Sequence, residues 1–191
     1  MKLLEDRIIS DGKVFPGDVL KVDSFLNHRI DVPFLGELGR EFYRLFKDEG
    51  VNKILTIEAS GIGLACITAE NFCCPVVFAK KSETSNLSDD VYTAEVYSYT
   101  HKKQYTIRVA KEFLRPEDKV LIIDDFLANG EALKGLIKLV GDAGATLAGA
   151  GIAIEKAFQP GGDELRKAGV RVESLARVKS MDDCGNIEFV Q

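Results

Sequence analysis

The sequence predicts a doubly wound α/β domain on a mainly parallel sheet, and three observations predict it. Short β-prone apolar runs alternate with helical stretches along most of the chain, the apolar runs are continuous, and turns at Gly61-Ile62-Gly63 and Asn129-Gly130 lead a strand into a helix. Continuous apolar strands imply a sheet covered on both faces, because each crossover between parallel strands carries a helix over one of them.

The elements follow in order. From Asp31 to Gly50, Phe34, Leu35, Leu38, Phe42, Leu45 and Phe46 recur at three- and four-residue spacing, with Asp31 placed to cap and Pro33 suited to the first turn. This is an amphipathic helix. The run from Lys53 to Ile57 reads as a strand, the turn Gly61-Ile62-Gly63 follows, and Leu64 to Phe72 reads as helix. The same succession returns with the strand Pro75–Ala79, with the strand Lys119–Asp124 before the helix Glu131–Asp142, and with Ala148–Ile154 before a short helix over Asp163–Ala168. A last strand, Val170–Val178, closes the series. The stretch Val91–Val109 differs: Tyr92, Val96, Tyr97, Tyr99, Tyr105, Ile107 and Val109 flank a polar tip at residues 100–104, which predicts a hairpin standing off the sheet, reached through the polar stretch Ser82–Asp90.

Composition narrows the function. A length of 191 residues suits one domain, and 46% apolar with 29% charged residues is the balance of a globular protein with a real core. A formal charge of −5 and no Lys/Arg run longer than a pair argue against a nucleic-acid partner. No apolar run is long enough to span a bilayer, and the charged start Met1–Arg7 does not suit a signal peptide, so no membrane partner and a cytoplasmic location are expected. Cys66, Cys73, Cys74 and Cys184 lack paired C-x-x-C spacing and only His28 and His101 accompany them, which supports neither zinc nor disulfides; reduced and mostly buried thiols are expected. A G-x-S-x-G elbow is excluded, because Glu58 and Ile62 stand at the glycine places around Ser60.

The richest segment is Val120–Leu133, an apolar strand that delivers Asp124 and Asp125 to its C-terminal end, outside the core, and then turns into a helix. Ligands of open α/β sheets bind at that end. A turn around Asn129-Gly130 lets successive N–H groups point into one concavity at a helix N-terminus, which suits a sugar 5′-phosphate, while acceptor-only carboxylates suit neighbouring ribose hydroxyls. As a plain hairpin turn Asn-Gly would lead into a strand, whereas Leu133, Leu136, Ile137, Leu139 and Val140 mark a helix.

Four apolar residues, two acids and a small-residue loop opening a helix resemble the phosphoribosyl pyrophosphate (PRPP) motif of the type I phosphoribosyltransferases, and the likeness covers nearly the whole chain. It implies that Asp124 and Asp125 bind the ribose hydroxyls and that the loop Ala128, Asn129, Gly130, Glu131 and Ala132 binds the 5′-phosphate. The chain departs from the commonest loop, Thr-Gly-Gly-Thr, by two hydroxyls lost and one carboxylate gained; Glu131 can point outward, and the Ala-Asn-Gly-x-Ala form resembles the xanthine-specific branch. By the same resemblance Glu58–Gly63 is the pyrophosphate loop, with amides near Ala59 and Ser60 meeting the leaving group; as a dinucleotide motif it lacks the third glycine, since position 66 is Cys. Lys80-Lys81 ends a strand where the family has basic residues, and Lys81 is the candidate pyrophosphate contact. Residues Ser82–Tyr105 resemble the family's mobile loop, which closes over the site.

Lys156, at the end of an apolar strand, is the candidate for the base, with a salt bridge to Glu155 or a solvated ammonium as the alternative. The resemblance adds Leu20 and Asn27 from an N-terminal hood, made by residues 1–36 together with the C-terminal end. Phe158 is either a stacking partner or a core residue. The implied reaction moves the 5-phosphoribosyl group of PRPP to xanthine with Mg²⁺ on the leaving group, no protein metal ligand and no protein nucleophile, in a homodimer. Adenine, hypoxanthine or guanine are alternative bases. A PRPP-sensing regulator is the non-enzymatic alternative, though the roughly 30 residues before the first long helix are few for a DNA-binding domain.

Overall fold

The computed structural model describes residues 1–81, 90–98, 103–182 and 184–191. Helix α1 (Lys2–Asp11) leads into a small hairpin of β1 (Lys13–Phe15) and β2 (Val19–Lys21), whose turn carries two left-handed residues, Gly17 and Asp18. A π-helical turn, Asp23–Asn27, follows. In α2 (Val32–Phe46) the Asp31 carboxylate accepts the Phe34 N–H and the apolar stripe is buried, as the spacing predicts. Then come β3 (Lys53–Ile57), α3 (Gly61–Phe72), β4 (Val76–Ala79), the hairpin β5 (Val91–Ser98) and β6 (Lys103–Ala110), β7 (Lys119–Leu127), α4 (Glu131–Asp142), β8 (Thr146–Lys156), α5 (Gly161–Lys167), β9 (Val172–Met181) and β10 (Ile187–Phe189).

Six strands form the central sheet in the order β10-β9-β8-β7-β3-β4, parallel throughout except where β10 runs antiparallel to β9. Two apolar clusters cover its faces. Leu121 and Ile123 of β7 join α1, α2 and α3 on one side, while Val120 and Ile122 join α4 and the β5–β6 hairpin on the other. The hairpin is a separate two-stranded sheet, as expected, but its inner face is seated: Val96 and Ile107 pack so closely on α4 that a Cβ at Gly135 would stand 2.6 Å from a Val96 methyl.

Several expectations need correction. Strand β7 runs three residues past Asp124, so the two acids sit inside the ladder at 5% and 6% exposure and not outside the core. The closing strand is β10, which Gly185 and Asn186 introduce and whose three residues are too few for periodicity to reveal. The thiols are free but not mostly buried: Cys66, Cys73 and Cys184 are exposed and Cys74 is intermediate, because the first two occupy the outer side of α3 and its left-handed cap. Phe158, 39% exposed, is no core residue. The expected linker (82–89), most of the hairpin tip (99–102, His101 included), and with them much of the stretch read as a closing loop, lie outside the described residues.

Candidate active site

The strand order reverses between β3 and β7: from β3 the chain continues outward to β4, whereas β7 returns to pair with β3 on its other edge. A crevice opens beyond the carboxyl ends at such a point. The loops following β3 and β7 meet there, and they are the two loops singled out from the sequence.

The β7 side is a cradle of backbone. Gly130 takes φ 84° as the cap residue before α4, a conformation open to glycine at little cost, and the first residues of α4, Glu131, Ala132 and Leu133, line the cleft beside it. Glu131 pairs with Lys134 at 3.1 Å, one turn along α4. A cleft of about 550 Å³ runs from this loop to the β1–β2 turn, lined by Asp18, Tyr105, Phe126, Asn129, Gly130 and Lys156 among others. All five loop residues from Ala128 to Ala132 line it.

The acids precede the cleft-lining Phe126 on β7. Asp124 receives the Asp125 N–H at 3.0 Å; burial first, and then the charge of Asp125, push its carboxyl well above the ordinary carboxylate range, with the Lys81 ammonium opposing. Lys81 is therefore brought within the field of the acid pair, its ammonium 5.5 Å from the centre of the Tyr105 ring. Its backbone N–H donates to the Glu58 carboxylate at 2.5 Å. Burial and the Asp124 charge likewise raise Tyr105.

Asp125 is the junction. The Ser60 hydroxyl donates to one of its oxygens at 3.1 Å and the Asn27 amide to the other at 2.9 Å, so the β3 loop, the β7 strand and the hood meet on a single carboxylate. Ser60 spends its hydroxyl there and not on capping α3. Gly61 makes the approach possible, since a Cβ would overlap the Thr56 hydroxyl and stand 2.8 Å from the Asp124 carboxylate. Among the described residues, the buried Thr56 hydroxyl has no hydrogen-bond partner. Ala59, in a cis peptide with Glu58, is exposed at the rim.

Lys156 faces the cleft from β8. Strand alternation sends it to the side opposite Glu155, which resolves the alternative of a pair between them: Lys156 Nζ donates to the Asp18 carbonyl at 2.6 Å and lies 5.9 Å from the Phe126 ring centre. Burial draws its ammonium pKa down. Phe126 is the aromatic that sequence reasoning missed. Register sets Phe126 opposite Ile154, two residues from Lys156 and so on the same face; no pattern within one strand carries that information. Leu20 does not line the cleft; its side chain is buried with Leu4, Ile8 and Val22, while its neighbour Val19 does line it.

The phosphoribosyl transferase domain family matches residues 34–182. The chain is 58% identical to a xanthine phosphoribosyltransferase of Lachnoclostridium phytofermentans, covering 99% of this chain and 98% of that one, and 54% identical to one of Ruminiclostridium cellulolyticum over the full length of both. Among solved structures it resembles an adenine phosphoribosyltransferase of Giardia lamblia complexed with 9-deazaadenine, with TM-score 0.78 and 25% identity over 91% of this chain and 97% of that one.

Proposed function

The chain belongs to the phosphoribosyltransferase family, and from that membership we propose that it is a purine-salvage enzyme moving the 5-phosphoribosyl group of PRPP to a ring nitrogen of xanthine. The bond from the anomeric carbon to pyrophosphate breaks, a bond from that carbon to a purine nitrogen that has already given its proton to solvent forms, and xanthosine monophosphate and pyrophosphate leave. The observation that carries the reading is convergence: the loop Ala128–Ala132 and the amine of Lys156 beside the Phe126 ring line one cleft, and the buried acid pair stands immediately before Phe126 on the same strand.

Residues Ala128–Ala132 hold the 5′-phosphate and fix one end of the sugar. Asp124 and Asp125 accept from the ribose hydroxyls; to do so Asp125 exchanges its bonds from Asn27 and Ser60. Ala59, Ser60 and Lys81 meet the pyrophosphate. Lys156 donates to a purine carbonyl, Asn27 reads the second one, Leu20 contributes through the hairpin backbone, and Phe126 offers its ring to the base. Cationic character grows on the sugar while pyrophosphate departs, so rate comes from positioning and from fixed charge; no side chain has to form a covalent intermediate.

Mg²⁺ suits this site. The two adjacent acids repel one another, which is part of what raises Asp124, and a cation nearby would relieve that repulsion; Mg²⁺ is usually held by substrate phosphates with few carboxylates. Among the described residues no three His, Cys, Asp or Glu side chains converge, so PRPP would bring most of its ligands. When bound, the ion supplies charge neutralisation to the departing pyrophosphate.

We take residues 1–191 as one domain with residues 1–36 and the C-terminal end as hood, and the protein as a cytoplasmic homodimer; light scattering tests the dimer. No described helix is long and apolar enough to cross a membrane. The experiment for the reaction is pyrophosphate release from PRPP and Mg²⁺ with xanthine, guanine, hypoxanthine and adenine in turn. Xanthine should be the best substrate; adenine as the best, or no release with any base, overturns the reading.

A further inference from the structure

We propose that Glu155 and Arg166 are positioning residues for the 5′-phosphate loop, acting through the glycine pair that opens α5; this rests on the reading of Ala128–Ala132 as that loop.

Strand alternation aims Glu155 away from the cleft, where it is 2% exposed. Arg166 meets it as a fork, Nη1 to Oε1 at 2.8 Å and Nη2 to Oε2 at 2.6 Å, and the Ser174 hydroxyl adds a bond at 2.5 Å. Arg177 stands 3.3 Å away. Burial pushes the Glu155 carboxyl up, but the bonds from Arg166 and Ser174 outweigh it and leave it ionised below the ordinary range. A two-point fork fixes direction as well as distance, so Arg166 holds α5 at one angle to β8.

That angle reaches the phosphate loop. Helix α5 has seven residues, too few to hold a course without tertiary ties. Its first two residues are glycines for steric reasons that point to two different neighbours. At Gly162 a Cβ would overlap Glu155 Oε1 and stand 2.9 Å from Arg166 Nη1. At Gly161 a Cβ would overlap the Ala128 carbonyl oxygen and stand 2.5 Å from the Gly130 nitrogen. The Gly161 N–H donates to the Ala128 carbonyl at 3.2 Å, and Leu165 packs behind Gly130. Lys134 ties α4 to α5 at Glu164, 2.9 Å away. The carboxylate-guanidinium fork therefore presses one glycine, and the next glycine is the rear wall of the cradle. The pyrophosphate end of the crevice hangs on other elements, the loop after β3 and the end of β4, so the two ends of PRPP should separate in experiment.

The test uses the full chain and the variants Arg166→Ala, Arg166→Lys, Gly161→Ala and Gly162→Ala. Calorimetric titration with ribose 5-phosphate and, separately, with inorganic pyrophosphate is read beside KM for PRPP, kcat and the melting temperature. A displaced loop should weaken ribose 5-phosphate and raise KM for PRPP about tenfold in Arg166→Ala and Gly161→Ala, with pyrophosphate affinity and kcat at saturating PRPP held within about twofold. Arg166→Lys, which keeps the charge without the fork, should fall between, and Gly162→Ala should reproduce the defect with the arginine intact. Equal weakening of both ligands would mean general loosening and overturns the proposal. So does unchanged ribose 5-phosphate affinity in the variants that stay folded. If the wild type itself fails to bind ribose 5-phosphate, the loop assignment falls and this proposal with it; if it binds and the variants match it, only the proposal falls.

Discussion

Asp124 and Glu155 are both buried carboxylates, on neighbouring strands of one sheet, yet their surroundings push them in opposite directions. Glu155 has a guanidinium fork, a hydroxyl and a second arginine around it, and is held below the ordinary carboxylate value. Asp124 has burial and a neighbouring acid, which a backbone amide and the Lys81 ammonium only partly offset, and is held well above it. Burying an ionised carboxylate is costly unless donors meet it, so a fold has reason to keep an ill-served one only where something else supplies the donors. Glu155 completes the scaffold; on the proposed function, a ribose would bring Asp124 the donors it lacks.

The contrast can be broken most forcefully at the acid pair. Asp124→Asn with Asp125→Asn should lower turnover by at least about 100-fold while the melting temperature holds or rises, since an amide suits burial beside a second polar group better than a repelled charge. Wild-type pyrophosphate release from that variant would defeat the ribose assignment. Glu155→Gln should do the reverse in thermodynamic terms, costing about 3 kcal/mol in denaturant unfolding because Arg166 and Arg177 lose their buried anion. A loss of only a few tenths would put Glu155 in the same class as Asp124.

On the base side the effect is smaller. Lys156 presents a donor, and an unsatisfied buried donor facing an amino group costs about 1–3 kcal/mol, so oxopurines should be preferred over adenine by at least roughly tenfold in kcat/KM. Lys156→Ala should shrink that ratio and Asn27→Ala the margin of xanthine over hypoxanthine; unaltered rankings in both would remove the base assignment and leave the phosphoribosyl chemistry standing. Lys81→Ala should weaken PRPP several-fold without touching ribose 5-phosphate, a pattern that equal losses would contradict.

The smallest effect is in pH. A carboxyl raised on folding means the folded chain binds more protons than the unfolded one, so the Asp124 contribution is full below the ordinary carboxylate value and lost as pH rises through the raised one. Glu155, lowered on folding, contributes above the ordinary value and loses that contribution as pH falls through the lowered one. Melting temperatures across the acid range should therefore decline less towards higher pH in Asp124→Asn than in wild type, and decline less towards low pH in Glu155→Gln. Parallel curves for all three proteins would erase the distinction.

Much of this was legible in the residues. The stripe of α2, the apolar run of β7 and the Asn-Gly turn before a helical period each carry their own signal, so the cleft-lining loop that opens α4 is readable from the residues alone. What the residues hid lies between segments. That Asn27 reaches Asp125, that Lys156 shares a face with Phe126 and that Glu155 answers to Arg166 all depend on strand register and on which elements pack together. Single-strand periodicity says that Glu155 and Lys156 diverge, but not towards what. The burial of the acids was missed for a related reason: Phe126 and Leu127 extend the ladder past them, although a charged pair reads as the end of a strand.

The two borders of the sheet bear on how the protein behaves at high concentration. On one border β4 has only four residues, and just past it Lys80 exchanges both backbone bonds with Arg108 of the hairpin at 2.9 Å, which closes that end. On the other, β10 has three residues, a register break between Glu188 and Phe189, and Glu188 paired with Lys179 beside it. A long row of open amides is what recruits a foreign strand; among the described residues β4 is a short border, and β10 covers β9 from Val178 to Met181. Self-templated strand addition is thus hindered by geometry at β4 and along the Val178–Met181 half of β9, and the first half of β9 is the edge at which another copy would have to add.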